Sequence, residues 1–187
     1  SHVRNERVDY PALARDSQRE LDAYLDALAE VDPAPLSRDE QLAFYFNLYN
    51  ASMIGAVLDH LAQAANWTPA SDSFAVFDEP RVRFNHTRVS LNHLEHEILR
   101  KRFNEPRLHS ALVCGARSCP PLLPRAYVGA DLDQVLDANM RGWLANGFRN
   151  RIDRKEHRLH LSQIFNWYAA DFGGPQRVAA FVDKYVE

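Results

Sequence analysis

The chain has 187 residues, 22 basic against 25 acidic side chains, a net charge of −3, 46% hydrophobic and 25% charged residues. That length suits one well-filled core, read here as a single domain over residues 1–187 in which 1–7 are flexible or an added leader. Basic residues are scattered among acids, which excludes a nucleic-acid face, and no apolar run reaches the roughly 18 residues needed to cross a bilayer. Two cysteines five positions apart exclude a disulfide-rich scaffold and a four-cysteine zinc site.

In chain order, Val8 to Ala14 reads as an arm, and Ser17 to Glu20 offers a capping box for a helix carrying Leu21, Tyr24, Leu25 and Leu28. Ser37-Arg38-Asp39-Glu40 repeats that signature and opens a long helix, apolar on most sides and therefore central. Asn47 and Asn50 stand on one face of it, where a buried amide needs a partner. Bonding to neighbouring backbone is the preferred reading, and substrate contact is the alternative. Asn66 to Pro80 is an irregular connection. Residues Arg81 to Ser90 alternate around Asn85-His86 as a β-hairpin, and Ser90 or Asn92 caps a helix with Leu91, Leu94, Ile98 and Leu99 buried. Glu95, His96 and Arg100 occupy adjoining positions on that helix.

Residues Leu108 to Leu122, LHSALVCGARSCPPL, hold both cysteines. Leu108 to Cys114 reads as a buried strand, Gly115 to Ser118 as its turn, and Cys119 as a loop residue before Pro120 and Pro121, where helix-terminal N–H groups would stabilise a thiolate. The competing reading is an inert or disulfide-bonded pair. A helix over Asp131 to Leu144, a hairpin over Phe148 to Leu161, a helix begun at Ser162 and a final amphipathic helix follow. The class is α+β, helices packed on a small, mainly antiparallel sheet. Leu112, Val113, Phe44, Leu48, Ile54, Leu58, Leu94, Ile98, Ile164 and Trp167 are the expected core.

Four segments, EQLAFYFNLYNA, VSLNHLEHEILR, PRLHSALVCGARSCPPL and LHLSQIFNWYAADFG, resemble in order the family called domain of unknown function 547 over roughly residues 8 to 187. Matching positions are Asn47, Asn50, Glu95, His96, Arg100, Arg107, His109, Cys114, Ser118, Cys119 and Pro120, whereas Val113 stands where the family often has Asn. The resemblance implies an exported protein of the periplasm or cell envelope, and lacks the coiled-coil region of plant members. The inferred layout is also loosely similar to papain-like and transglutaminase-like thiol enzymes.

Three functions are open. The first is a thiol-dependent hydrolase or transferase acting on a peptide, amide or small thiol or γ-glutamyl compound. Cys114 or Cys119 would be its nucleophile, His96 or His109 its base, and Glu95 or an Asn the group that orients the base. Backbone N–H groups of Gly115 to Ser118 would form the oxyanion hole, and Asn47, Asn50, Arg100, Arg107 and Ser118 would bind substrate. The second is a non-catalytic envelope binding or scaffold domain with a Cys114–Cys119 disulfide. The third, a metal site from His96, His109, Cys114 and Cys119, lacks the paired spacing of strong zinc signatures and stands last, so no metal or cofactor is expected. The expected partner is a small molecule or peptide.

Overall fold

The protein was analysed as a computed structural model, which describes residues 2–4, 7–115, 119–147, 149–153, 155–156 and 158–186. Its spine is α3, Arg38–Gln63. The start of that helix is written locally: Ser37 Oγ accepts the Glu40 N–H, and Glu40 Oε2 accepts the Ser37 N–H at 2.9 Å, which closes a reciprocal capping box. Leu42 to Phe46 are all buried. Five successive residues pass more than once around a helix, so α3 is enclosed on all sides there.

Around this spine the chain lays short elements. A two-strand pair, β1 (Val3–Arg4) with β2 (Arg7–Val8), leads into α1 (Tyr10–Asp16) and α2 (Gln18–Ala29). The segment expected as an arm is thus helical, because Asp9 Oδ1 caps it by accepting the Ala12 N–H at 3.0 Å and Pro11 supplies a preset first turn. The connection over 66–80 forms two 3₁₀ turns, Pro69–Asp72 and Ala75–Phe77. Next come β3 (Val82–Phe84) and β4 (Thr87–Val89), antiparallel with Val82 opposite Val89. Their turn residues Asn85 and His86 have φ of 42° and 57°, the left-handed pair that matches the strand twist. Val82 and Phe84 face inward, and the Phe84 ring meets Phe44 and Tyr45 of α3 edge-on.

Ser90 Oγ accepts the His93 N–H and starts a helix in three parts: α4 (Leu91–His93), a π-helical turn (Leu94–Leu99) and α5 (Arg100–Phe103). In the π turn the Arg100 N–H reaches back five residues to the Glu95 carbonyl. After α6 (Leu132–Ala145) come the hairpin β5 (Arg151–Asp153) and β6 (Arg158–His160), then α7 (Ile164–Trp167), a 3₁₀ turn Ala169–Phe172 and α8 (Val178–Asp183).

The α+β class therefore holds, with one correction: among the described residues the strands form three separate two-strand pairs and not one sheet. A second correction concerns Leu108 to Cys114. Pro106–Ser110 is a 3₁₀ helix capped by Glu105, whose carboxylate accepts the Arg107 N–H, and Ala111 to Cys114 is irregular. Leu108, Ala111 and Leu112 are buried, a spacing of three and four that serves a helical turn as well as alternation serves a strand.

The core has two clusters. The larger surrounds α3 and includes Phe44, Leu48, Leu94 and Leu112, while the smaller joins Met140, Trp143 and Leu144 to Phe165, Phe172 and Val182. Leu58 is buried as expected; Val113, Ile54, Ile98 and Ile164 are half-buried. Trp167 is 70% exposed and is not core, because α7 is a single turn that buries Phe165 and turns Trp167 the other way.

Candidate functional site

A cavity of about 570 Å³ opens between the π turn, the cysteine stretch, the 3₁₀ turns of 69–77 and α7. Its walls are mostly apolar, with Phe74, Phe77, Leu112, Ile164 and Trp167 supplying the bulk, and its size is that of a small-molecule site. Glu95, His109, Cys114 and Cys119 all line it. Four of the five expected catalytic residues therefore meet in one concavity.

The cysteines are joined. Cys114 and Cys119 form a disulfide with their Cα atoms 6.0 Å apart, a span ordinary for such a bridge, and neither is a free thiol. Cys119 is 3% exposed, Cys114 is half-buried, and Gly115 beside it takes φ of 71°, which lets the chain turn. Of the turn expected as an oxyanion hole, Ala116 to Ser118 lie outside the described residues, so the substrate contact expected of Ser118 does too.

His109 is almost wholly buried and held from three sides. Its ring stacks on Tyr168 with centroids 4.4 Å apart, Phe172 packs beside it, and its Nε2 lies 2.8 Å from Asp171 Oδ2. Asp171 also takes a two-pronged ion pair from Arg100, Nε to Oδ2 at 2.6 Å and Nη2 to Oδ1 at 2.8 Å. Burial pushes the Asp171 carboxyl up, but the hydrogen bonds from His109 and Arg100 outweigh it and hold the group well below the usual carboxylate range. An ionised Asp171 selects the tautomer with hydrogen on Nε2 and leaves the lone pair on Nδ1. Nδ1 has no hydrogen-bond partner among the described residues.

His96 sits at the far end of the same chain of contacts. Its Nδ1 is 3.1 Å from Arg100 Nη1, and it is not on the cavity wall. Of the two candidate bases, only His109 lines the cavity that the cysteines also line. Nor does Glu95 orient either ring: its Oε2 accepts the Tyr49 hydroxyl at 3.1 Å, and its charge bears on the nearby Tyr168 phenol. Burial first, and then the Glu95 charge, raise both phenols, Tyr168 to about 12, so both remain O–H donors at neutral pH.

The remaining expected residues are engaged elsewhere. Asn50 clamps the approach to Cys114, with Nδ2 donating to the Ala111 carbonyl at 2.9 Å and Oδ1 accepting the Val113 N–H at 3.0 Å. Asn47 does the same to Tyr127, at 2.9 and 2.8 Å. These are the loop-fixing bonds preferred for the two amides, and neither residue lines the cavity. Arg107 is bound to Glu105, Asp133 and Asp137 and is likewise away from it. Arg100 is committed to Asp171. No group of three or more His, Cys, Asp or Glu among the described residues can hold a metal.

Sequence reasoning missed Asp171, Tyr168 and Tyr49. All three lie inside segments that carry the family resemblance, but Asp171 is 62 residues from His109 and 71 from Arg100, and no local spacing ties them.

Comparison with curated proteins and with solved structures returns no match. The family model described as "Protein of unknown function, DUF547" matches residues 33–144, which spans α3, the β3–β4 hairpin, the π turn, both cysteines and nearly all of α6. The chain belongs to the DUF547 family.

Proposed function

We propose that the cavity is the centre of a thiol-dependent hydrolase or transferase acting on a peptide, amide or small thiol or γ-glutamyl compound, and that its cysteine pair rests as a disulfide. The observation carrying this reading is that His109 shares the cavity with both cysteines while Asp171 holds its Nε2 and leaves Nδ1 as the basic nitrogen. A dithiol donor would supply two electrons and two protons, leaving as its own disulfide and releasing Cys114 and Cys119 as thiols. Cys114, the more exposed of the two, would pass its proton to His109 and attack the carbonyl carbon. The bond to the leaving group would break as His109 returns that proton, and water or an acceptor amine would then release the thioester. An exported location, in the periplasm or cell envelope, accords with a disulfide, since oxidising compartments preserve such bonds.

A second reading is a non-catalytic binding domain whose disulfide fixes the loop. The 3% exposure of Cys119 favours it, because a buried sulfur resists exchange.

Iodoacetamide labelling at pH 6.5, read by intact mass and peptide mapping, separates the two. The thiol reading expects no label on the native protein and preferential labelling of Cys114 after mild reduction. His109→Ala should move that labelling to higher pH, and His96→Ala should leave it unchanged. Equal labelling of both reduced cysteines, with an ordinary thiol profile, would establish the binding reading instead.

A further inference from the structure

Glu95 is a charged group of the cavity whose role is unaccounted for. It is 8% exposed, yet it lines the cavity. The orienting role expected of it is filled by Asp171. Among the described residues no Lys, Arg or His nitrogen pairs with it. Arg100 is near enough to feel its charge, but that guanidinium is bound on two nitrogens by Asp171. Tyr49 holds the carboxylate in place by donating its O–H at 3.1 Å, a neutral donor that stabilises the charge without neutralising it. Glu95 stands at the near end of the π turn, where its backbone carbonyl accepts the Arg100 N–H from the far end.

The space in front of Glu95 is walled by apolar and aromatic groups. Phe74 and Trp167, 56% and 70% exposed, stand at its mouth as bare aromatic surfaces. Asp78, the other acidic group of the lining, is already bonded by Asn92 at 2.8 Å. A buried, oriented carboxylate without a cationic partner at an aromatic-walled cavity is complementary to a cation on an apolar body, because an N⁺–H donor offsets its desolvation more fully than a neutral O–H donor does.

We propose that the cavity takes a primary amine carried on an aromatic or branched apolar body, such as the free amino end of an apolar peptide or amino-acid derivative, with Glu95 as the ammonium receptor and Trp167 and Phe74 as the clamp on the body. The proposal rests on reading the cavity as the substrate site, and names the substrate class for the enzyme proposed above.

The test uses the full chain in its disulfide form, so it does not depend on thiol chemistry. Calorimetric titration with 2-phenylethylamine, 2-phenylethanol and 3-phenylpropanoate at pH 7 compares a cation, a neutral isostere and an anion. The amine should bind about tenfold more tightly than the alcohol, a preference of the size one charge-assisted hydrogen bond provides. Glu95→Gln should bring the amine down to the affinity of the alcohol and leave the alcohol unchanged. Tyr168→Phe, which keeps the carboxylate, should retain the preference for the amine, and Trp167→Ala should weaken amine and alcohol alike. Equal affinities in the native protein, tighter binding of the anion through Arg149 on the lining, persistence of the preference in Glu95→Gln, or absence of saturable binding would each overturn the proposal. Failure of the labelling experiment with success here would leave a binding site for amines without thiol catalysis, and the reverse would leave a thiol enzyme for another substrate.

Discussion

Asp171 and Arg100, 71 residues apart, are joined by two parallel N–H···O bonds of 2.6 and 2.8 Å, and the same carboxylate holds His109. The pair ties the turn after α7 to the helix carrying Glu95. Both partners are only partly screened by solvent, with side-chain exposures of 18% for Asp171 and 25% for Arg100. Asp171→Asn should cost about 2 to 3 kcal/mol at neutral pH, since it weakens charge-assisted bonds and leaves the guanidinium under-compensated.

The same group sets an acid limit. Its folded carboxyl lies below its unfolded value near 3.9, so the stabilisation is complete above about pH 4 and fades as pH falls further. Melting temperatures measured from pH 6 to 2 should fall more steeply in the native protein than in Asp171→Asn. Parallel curves would mean that the carboxylate is not stabilised by its partners.

Asn50 satisfies one carbonyl and one N–H on the backbone leading to Cys114. Asn50→Ala removes both bonds from a site that is 5% exposed; the Ala111 carbonyl keeps the Tyr127 hydroxyl at 3.4 Å while the Val113 N–H is orphaned, so urea unfolding should register a loss of about 1 to 3 kcal/mol. The disulfide should also become easier to reduce, because the loop is no longer held. An unchanged midpoint would mean that water replaces the amide.

Arg107 binds Glu105, itself 8% exposed, together with two aspartates at the start of α6. Arg107→Met would strand the Glu105 charge and should cost about 3 kcal/mol while leaving ligand affinity at the cavity unchanged. Loss of affinity without loss of stability would restore Arg107 as a substrate residue.

Leu48 and Trp167 set the two ends of the packing scale, 0% and 70% exposed. Leu48→Ala should cost about 2 to 5 kcal/mol by leaving a void beside α3. Trp167→Ala should stay within about 0.5 kcal/mol of the native protein, because it removes surface that water already reaches. Chemical denaturation of both variants checks the pair, and a large loss from Trp167→Ala would mean that the ring packs in solution.

What the sequence determined by itself is local. The Ser37–Glu40 capping box, the Ser90 cap and the Asn85-His86 turn each join residues two or three positions apart, so their chemistry is readable in the order of letters. The length of α3 and its burial follow from apolar residues on every side of it. Tertiary structure decided the rest. Leu108 to Leu112 fits a helical turn and a strand equally, and the choice went to the turn when Pro106 and Glu105 opened it and Asn50 supplied backbone partners that no neighbouring strand provides. Cysteine spacing left the pair open between bonded and free. Glu95, His96 and His109 were legible as candidates, but His109 was selected by Asp171, and Glu95 was released from the role of orienter by the same residue. A contact that closes over 62 residues leaves no periodicity in the chain, because it depends on where the elements between them pack and not on how those two residues are spaced.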